Sequence, residues 1–331
     1  MKTSQSLLRL FAGITALLLT ATSAPAATIQ VLETFDYPGT GNLTLPQKIN
    51  DQGVIVGVFI DVNGVARAFL RGRNGQFSRP FVEPNDTGNL TQGRGINSAR
   101  IVCGEYLDGN TGNFHGYFLV HGRFTEFDVT DATNTIPLAI NEANDFSGTT
   151  VLNDGTQPAF FSLGGTITTV AIPDTLATLA YGLNSSNQAA GYYLDLDGVT
   201  THGWARDTDG TLTFPIDPAG SVGTVLFDNN DSNWVVGRYA DASGVTHGLF
   251  YMSPDDILTF DYPGSAFTSL NGINQNGYIC GRFVDSAGIA HGFVAKVNPD
   301  ETGSSNQGVR ITPSKPTRPM IEKVGAATVA F

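Results

Sequence analysis

Hydrophobic residues in this chain form short runs that are separated by clusters of Gly, Asn, Asp and Pro. Runs of this kind between turn residues are typical of β-strands joined by tight connections, and long helical periodicity is absent. The pattern extends from about residue 31 to residue 297, which is enough chain to bury a large core. It therefore predicts an all-β protein.

The runs belong to a motif that recurs six times. Five copies carry Ile-Asn or Leu-Asn with a Gly seven residues after the Asn: Ile49-Asn50…Gly57, Ile96-Asn97…Gly104, Ile140-Asn141…Gly148, Leu183-Asn184…Gly191 and Ile273-Asn274…Gly281. The remaining copy is assigned to Phe227-Asp228…Gly237, with two residues inserted. The glycines lie 47, 44, 43, 46 and 44 residues apart, and a period near 45 is typical of four-stranded blades or of a solenoid.

Each copy contains four strand candidates, which we name a to d. Copy six shows strands a, b and c at 267–273, 278–284 and 289–296. Strand d is the Phe-rich segment seen in the other copies at 77–82, 124–129, 166–172, 211–216 and 257–262. Short a–b, b–c and c–d connections with a longer d–a connection are typical of a β-propeller.

The two ends of the repeat region decide between a ring and an open solenoid. Copy six lacks a following strand d, but residues 31–39 share the Thr-Phe-Asp-Tyr-Pro-Gly ending of residues 258–264. A strand d supplied by the N-terminus would close the ring and remove exposed sheet edges. We therefore predict a six-bladed β-propeller of four-stranded antiparallel blades, with residues near 31–36 paired to residues near 290–296.

The segments outside the repeat have different compositions. Residues 1–26 combine the basic Lys2 and Arg9, an apolar run and an Ala-Pro-Ala ending, which predicts a cleaved signal peptide and a secreted or periplasmic protein. Residues 27–297 are assigned to the propeller. Residues 298–331 are rich in Ser, Gly, Thr, Pro and Lys and are predicted to be a flexible tail.

Charge limits the partners. Removing residues 1–26 removes two basic residues and no acidic one, which changes the net charge from −12 to −14. A negative surface argues against nucleic acid and anionic membranes, and no second membrane-spanning run follows. We expect a monomer that binds a glycan or an extracellular protein.

Both cysteines occupy the same repeat position. Cys103 and Cys280 immediately precede Gly104 and Gly281, in copies two and six. These copies are not neighbours in a six-fold ring, and a disulfide needs Cα atoms within about 7 Å. We therefore predict two buried free thiols.

The internal consensus carries a resemblance to a known family. It is approximately G-I-N-x-x-G-x-I-x-G-x-Y-x-D-x-x-G-x-x-H-G-F followed by F-D-Y-P-G, and Gly272-Ile273-Asn274 and His291-Gly292-Phe293 show it well. This resembles the HAF-type extracellular repeat family of bacterial secreted proteins, over about residues 31–297. The resemblance implies secretion and a propeller-like fold, and it implies no particular chemistry. Copies one and three depart from it at Arg67-Ala68-Phe69 and Pro158-Ala159-Phe160.

Four of the five histidines sit at one repeat position, each with an Asp six or seven residues earlier across the b–c hairpin. The pairs are Asp108 with His115, Asp195 with His202, Asp241 with His247 and Asp285 with His291. Copy one keeps Asp61 with Arg67, and copy three loses both members, to Leu152 and Pro158. We interpret the pairs as structural braces of the hairpins, because ligands spread around a ring do not converge on one ion. No metal site is predicted.

Acidic turns leave calcium open as an alternative. Asp61-Val62-Asn63-Gly64, Asp195-Leu196-Asp197-Gly198 and Asp207-Thr208-Asp209-Gly210 resemble fragments of calcium loops but lack the distant Glu. Hairpin turns require the same residue types, so a turn role is preferred and no cofactor is expected. Residues Gly53, Asn144, Asn187, Asn233 and Gly277 are expected to adopt left-handed turn conformations after an Asx-turn.

Positions that repeat serve the fold, so positions that vary are the candidates for a ligand. Two residues before the Ile or Leu of the motif the copies have Gln47, Arg94, Leu138, Tyr181, Val225 and Asn271. One residue after the strand-b Gly they have Val58, Glu105, Thr149, Tyr192, Arg238 and Arg282. From these two sets we select Gln47, Arg94, Glu105, Tyr181 and Asn271 as ligand-binding candidates at the mouth of the channel.

Two classes of function remain. The first is a binding or scaffolding propeller for a glycan or a protein. The second is an extracellular hydrolase or lyase acting on polysaccharide, with Glu105 as the acidic group. The catalytic signatures G-x-S-x-G, H-E-x-x-H, the P-loop and paired C-x-x-C are absent, and the varying positions contain one acid where glycoside hydrolysis needs two. Binding is therefore preferred, and no catalytic residue is assigned.

Overall fold

The computed structural model describes residues 27–39, 43–253 and 256–298, together with the backbone of residues 310–311 and 323–324. Within these residues the secondary structure consists of β-strands and turns. The predicted signal peptide, residues 1–26, lies outside the described residues. The described part of the chain contains no helix that is long and apolar enough to span a membrane.

The strands form six antiparallel units, which we number as blades 1 to 6. Blade 1 contains β2 (Thr44–Ile49), β3 (Ile55–Ile60) and β4 (Ala66–Arg71). Blade 2 contains β5 (Thr91–Ile96), β6 (Val102–Asp108), β7 (Asn113–Val120) and β8 (Arg123–Phe127). Blade 3 contains β9 (Ala132–Ile140), β10 (Phe146–Leu152), β11 (Ala159–Leu163) and β12 (Thr166–Val170).

The second half of the chain continues the series. Blade 4 contains β13 (Thr175–Leu183), β14 (Ala189–Asp195), β15 (Thr201–Arg206) and β16 (Leu212–Ile216). Blade 5 contains β17 (Ser221–Asn229), β18 (Val235–Asp241), β19 (Thr246–Ser253) and β20 (Asp256–Phe260). Blade 6 contains β21 (Phe267–Ile273), β22 (Tyr278–Val284), β23 (Ala290–Asn298) and β1 (Thr28–Phe35).

The six inner strands close into a ring. Each of β2, β5, β9, β13, β17 and β21 contacts the inner strands of both neighbouring blades, and β21 returns to β2. The protein is therefore a six-bladed β-propeller, as the repeat predicts.

The N-terminal strand completes the last blade. Strand β1 pairs antiparallel with β23, from Thr28 opposite Asn298 to Phe35 opposite Gly292, with a bulge between Val31 and Glu33. This confirms the predicted closure, in which the two ends of the propeller are held in one sheet.

Blade 1 departs from the four-stranded expectation. In place of a continuous outer strand over 77–82, two isolated bridges join Arg71 to Phe77 and Ala68 to Phe81. Pro80 lies between them, and a proline has no N–H to donate to a ladder. The outer edge of this blade is therefore an interrupted strand.

Two short segments of the predicted C-terminal tail are described. Strand β24 (Arg310–Ile311) pairs with β20, and β25 (Lys323–Val324) pairs with β12. Both lie on outer strands of blades. Most of the remaining tail falls outside the described residues.

The core lies between the blades and is built around the third strand of each repeat. Phe69, Tyr117, Phe160, Trp204 and Phe293 are fully buried at equivalent positions. Each packs over the strand-b Gly, where an added Cβ would lie 1.9–2.6 Å from a strand-a carbonyl oxygen. Only Gly fits so close to this carbonyl, which explains the fixed Gly of the motif.

The fifth repeat is regular and was misaligned by the sequence pattern. Asn230, and not Asp228, stands seven residues before Gly237 and forms the turn contacts of the other motif asparagines. Asp228-Asn229 replaces the usual Gly-Ile, and this replacement imitates an insertion. Cys103 and Cys280 are both free and buried, as predicted.

Candidate functional site

The motif asparagines form a closed ring at the a–b turns. Each Asn donates a hydrogen bond from its Nδ2 to the backbone carbonyl of the equivalent Asn in the next blade. The N···O distances are 3.0 Å from Asn50 to Asn97, 3.2 Å from Asn97 to Asn141, 3.1 Å from Asn141 to Asn184, 3.1 Å from Asn184 to Asn230, 3.2 Å from Asn230 to Asn274 and 2.9 Å from Asn274 to Asn50. Six side chains therefore link all six blades.

The same side chains also shape their own turns. The Oδ1 of Asn141, for example, accepts hydrogen bonds from the backbone N–H groups of Ala143 and Asp145. The third residue after each Asn has positive φ, as predicted for Gly53, Asn144, Asn187, Asn233 and Gly277. Blade 2 places Arg100 in this conformation, with φ of 60°.

Two residues before the motif Asn the inner strands approach each other closely. A Cβ on Gly272 would lie 2.8 Å from the Cα of Lys48, and a Cβ on Gly182 would lie 3.0 Å from the Cα of Asp228. Glycine is therefore required at these two contacts, whereas blades 1 and 5 carry Lys48 and Asp228 at the equivalent position.

Lys48 and Asp228 form a buried ion pair that joins two blades that are not neighbours. The Lys48 Nζ lies 2.6 Å from the Asp228 Oδ1 and donates to the Phe227 carbonyl, and Asp228 also accepts from the Ile273 N–H. Burial lowers the pKa of Lys48 and raises the pKa of Asp228, and the contact between them opposes both shifts. A cavity of about 60 Å³ remains between this pair and the Asn ring.

All six inner strands are bulged at one position, next to this ion-pair level. The register with strand b skips one residue in each blade, and the skipped residues are Gln47, Arg94, Leu138, Tyr181, Phe227 and Asn271. Bulges commonly redirect a side chain near a binding site. This set corrects the sequence assignment in blade 5, where Phe227 and not Val225 is equivalent, because the misalignment of that repeat shifted it by two residues.

Blade 2 contributes a bidentate ion pair to this level. The Arg94 guanidinium contacts both carboxylate oxygens of Glu105 at 2.7–3.0 Å. The Glu105 side chain is 2% exposed and the Arg94 side chain 18%. Burial opposes the charge of Arg94, but Glu105 outweighs it and raises the pKa of the guanidinium.

Blades 4, 5 and 6 form a continuous aromatic and basic wall. Tyr181 stacks on Tyr192 with ring centroids 5.6 Å apart and meets Phe227 edge-on at 5.3 Å. The Arg238 guanidinium lies over the Phe227 ring at 5.3 Å and over the Phe267 ring at 5.4 Å. The Arg282 guanidinium lies over Phe267 at 5.0 Å. We call Arg94, Glu105, Tyr181, Tyr192, Phe227, Arg238, Phe267 and Arg282 the bulge-level site.

Charges on the two sides of this site influence one another. Burial, then Arg238 and then Arg94 lower the pKa of Arg282, whereas Tyr181 opposes them, and the net result is a pKa of about 10. Burial also lowers the pKa of Arg238, against the influence of Tyr181 and Tyr192. Blades 2, 4, 5 and 6 therefore present their polar groups to one shared space.

The five ligand-binding candidates from the sequence separate into two groups. Arg94, Glu105 and Tyr181 belong to the bulge-level site. Gln47 is the half-buried bulged residue of blade 1. Asn271 is buried and its side chain links blades 6 and 1, donating to the Pro46 carbonyl at 2.8 Å and accepting from the Ser269 hydroxyl.

Sequence reasoning did not select five members of the site as binding residues, namely Tyr192, Phe227, Arg238, Phe267 and Arg282. Arg238 and Arg282 stand one residue after the strand-b Gly and belong to the varying positions. No acidic residue varies together with them at the bulge position of their own blades, so the sequence did not mark them as a binding pair. Phe227 becomes visible once the seven-residue spacing to Gly237 is applied strictly.

The repeated histidines lie on the third strand of their blades, and three of the four contact two carboxylates each. In blades 4, 5 and 6 the Nε2 lies 3.3–3.4 Å from the hairpin Asp, in the pairs His202 with Asp195, His247 with Asp241 and His291 with Asp285. The Nδ1 lies 2.5–3.0 Å from an Asp of strand d, namely Asp217, Asp261 and Asp36. The Asp that directly follows strand d, in Phe-Asp of blades 5 and 6 and in Ile216-Asp217 of blade 4, was the available signal for this second partner.

The expected pairing of His115 with Asp108 does not form. Asp108 instead accepts hydrogen bonds from Asn110, Thr111 and Thr87, because its longer turn and the preceding loop bring these donors to it. His115 contacts Asp128 at 2.7 Å.

One cluster in the described residues has the composition of a metal site. His115, Glu126 and Asp128 can each offer one ligand atom within 4.8 Å of the others, at the outer edge of blade 2. Both carboxylates are exposed and already contact Tyr106 and His115. The cluster lies on outer strands, away from the inner-strand bulges.

The chain has several structural neighbours. The lectin of Aleuria aurantia, in complex with Fucα1-6GlcNAc, has a TM-score of 0.47 at 10% identity, over 83% of this chain and 97% of that chain. TolB from Acinetobacter baumannii has a TM-score of 0.45 at 10% identity, over 82% and 56%. The BP39L lectin from Burkholderia pseudomallei has a TM-score of 0.43 at 12% identity, over 82% and 100%. No family model and no curated protein matches the chain.

Proposed function

We propose that this chain is a secreted, HAF-type binding module without catalytic activity, and that it holds a glycan at the bulge-level site. The observation that carries the proposal is the bulge found in all six inner strands at the one position where the repeats differ most in chemistry. Secretion rests on the signal-like residues 1–26.

The chemistry of the wall suits a sugar. Tyr181, Tyr192, Phe227 and Phe267 offer ring faces and edges, against which the C–H face of a pyranose packs. Arg94, Glu105 and the tyrosine hydroxyls offer polar groups at its edge. A mainly aromatic surface with a few convergent polar groups is typical of small-ligand sites.

The shape favours a glycan over a folded protein. A stable protein interface covers about 800 Å² on each partner and presents a broad surface. The bulge-level residues instead surround a channel, across which Arg94 still influences the pKa of Arg282. A confined set of groups on and beside the inner strands suits a sugar residue at the end of a chain better than the broad surface of a globular partner.

The carboxylates argue against the hydrolase alternative. Glycoside hydrolysis needs two carboxyl groups, about 5–10 Å apart and accessible to the substrate. Arg94 donates hydrogen bonds to both carboxylate oxygens of Glu105, and Asp228 forms an ion pair with Lys48 at the neighbouring level. Neither group is available as a general acid or a nucleophile without breaking a buried ion pair.

A glycan array and a panel of polysaccharides test the proposal. We expect the wild-type protein to bind a subset of glycans without turnover, and Tyr181→Ala to weaken this binding by at least tenfold through loss of a packed ring. Leu196→Ala, at an exposed turn of the same blade, is the matched control and should bind as the wild type does. Turnover that disappears in Glu105→Gln would overturn the proposal, as would binding that Tyr181→Ala leaves unchanged.

A further inference from the structure

The bulge-level site contains three guanidinium groups and one carboxylate. Arg94 is paired with Glu105, whereas Arg238 and Arg282 have no carboxylate partner among the described residues. The groups that influence their pKa values are Tyr181, Tyr192 and the arginines themselves. This local excess of positive charge stands in a chain whose net charge is −12.

Two other arginines of the protein are each paired with an acidic side chain. Arg67 contacts Asp61 at 2.9 Å, and Arg71 contacts Glu33. Arg238 and Arg282 therefore differ from these arginines, because both contact the Phe267 ring and neither is paired with an acid among the described residues.

Placing two cations together in a partly buried space has a cost. An ion removed from water is stabilised only when it is paired and hydrogen-bonded, and like charges oppose each other. The Nε of Arg282 is buried and makes no hydrogen bond. A donor of this kind is satisfied when a ligand supplies the missing acceptor.

The geometry selects the chemistry of that ligand. Guanidinium groups bind planar or tetrahedral oxyanions through two parallel N–H···O bonds, which a hydroxyl group cannot accept in the same way. Each guanidinium group lies against the Phe267 ring, at 5.4 Å for Arg238 and 5.0 Å for Arg282, and the ring limits the directions in which they present their N–H groups. Tyr181 and Tyr192 provide ring faces beside them.

We infer that Arg238 and Arg282 bind the anionic group of an acidic sugar residue, a carboxylate or a sulfate, in the bulge-level site. This inference rests on the proposed function and specifies its ligand class. Arg94 stays with Glu105, and the aromatic wall packs against the sugar ring to which the anion is attached.

The first experiment measures anion binding without assuming a glycan. Sodium sulfate, D-galacturonate and neutral D-galactose are titrated into the wild-type protein at constant ionic strength, with calorimetry and the melting temperature as readouts. We expect sulfate and galacturonate to bind and to raise the melting temperature, and galactose to do so weakly or not at all. Arg238→Gln and Arg282→Gln should each weaken anion binding by about 10- to 100-fold. Arg123→Gln, an exposed arginine on the outer strand of blade 2, is the matched control.

A second readout separates loss of binding from loss of folding. Because Arg282→Gln removes an uncompensated charge, its melting temperature without anion should equal or exceed that of the wild type. A clear decrease would show that the protein itself compensates the charge, and would overturn the inference. Anion binding that persists in both Gln variants would also overturn it.

The outcomes distinguish this inference from the proposed function. Glycan binding that depends on Tyr181 but shows no preference for acidic sugars overturns the anion site and leaves the glycan module intact. Sulfate binding that depends on Arg282, without binding of any glycan, supports the anion site and overturns the glycan assignment. Preferential binding of an acidic peptide over acidic glycans would likewise overturn the choice of a sugar.

Discussion

Two neighbouring levels of the same channel follow opposite designs. At the a–b turns the six blades present the same residue, Asn, and each Asn has both ends of its amide hydrogen-bonded within the protein. A few residues away, at the bulges, the blades present six positions of differing chemistry, and two of the nearby cations have no acid. The repeated asparagines hold the blades together. The varied residues at the bulges keep polar groups and ring faces that a ligand can contact.

The ion pair between the two levels should show the largest effect. Lys48→Met leaves Asp228 buried without its cation, and breaking such a pair typically costs about 3–5 kcal/mol. Urea unfolding of Lys48→Met and of Lys48→Met with Asp228→Leu measures this. We expect the double variant to recover much of the loss, because both charges are then absent. Equal stability of Lys48→Met and wild type would contradict a structural role for the pair.

The Asn ring should come next. Asn141→Ala removes the donor to the Asn184 carbonyl and the acceptor of two backbone N–H groups, and unsatisfied buried groups cost about 1–3 kcal/mol each. We expect a loss of about 3 kcal/mol in the free energy of unfolding. Asn63→Ala, in an exposed turn, should be nearly neutral. If Asn141→Ala weakened ligand binding without changing stability, the division between the two levels would be wrong.

The repeated histidines should contribute to the stability of the protein, as the Asn ring does, and not to ligand binding. Burial lowers the pKa of His202, but Asp217 and Asp195 outweigh this and raise the pKa above its usual value. Its stabilising contribution is therefore fully present below the unfolded pKa of about 6.5 and is lost as pH rises through the folded pKa. Melting temperatures of wild type and His202→Gln should differ more at pH 5.5 than at pH 9. A difference that grows toward alkaline pH would refute this sign.

The smallest effect should be at the turn of blade 2. Arg100 is exposed and adopts φ of 60°. The other five blades have Gly or Asn at this position, with φ of 59–77°. Arg100→Gly should stabilise the protein by about 1 kcal/mol, since a left-handed conformation is unfavourable for residues with a Cβ. Thermal unfolding measures it, and Arg79→Gly, on an exposed loop, provides the comparison.

The fold follows from the sequence because its determinants are local and repeated. The spacing from Asn to Gly, the left-handed turn residues and the Phe-Asp segment at the N-terminus predict the blades and their closure. The bulges could not be predicted in the same way. At each bulge a strand-a carbonyl lies close to the strand-b Gly, and this backbone arrangement leaves no mark in the pattern of side chains. The contact of Lys48 with Asp228 joins residues far apart in sequence, and the misaligned fifth repeat concealed it.

The Asn ring has a direction. Every side-chain amide points from one blade to the backbone carbonyl of the following one in chain order, so the six bonds form a closed circle with one direction. The circle has no terminal bond, because each Asn donates one bond to the next blade and accepts one at its backbone carbonyl. Insertion of one more repeat of about 45 residues would break one of the six bonds and re-form the circle around seven blades, with a different angle between neighbouring blades. The amide circle therefore favours the blade number at which every bond keeps its present length of 2.9–3.2 Å.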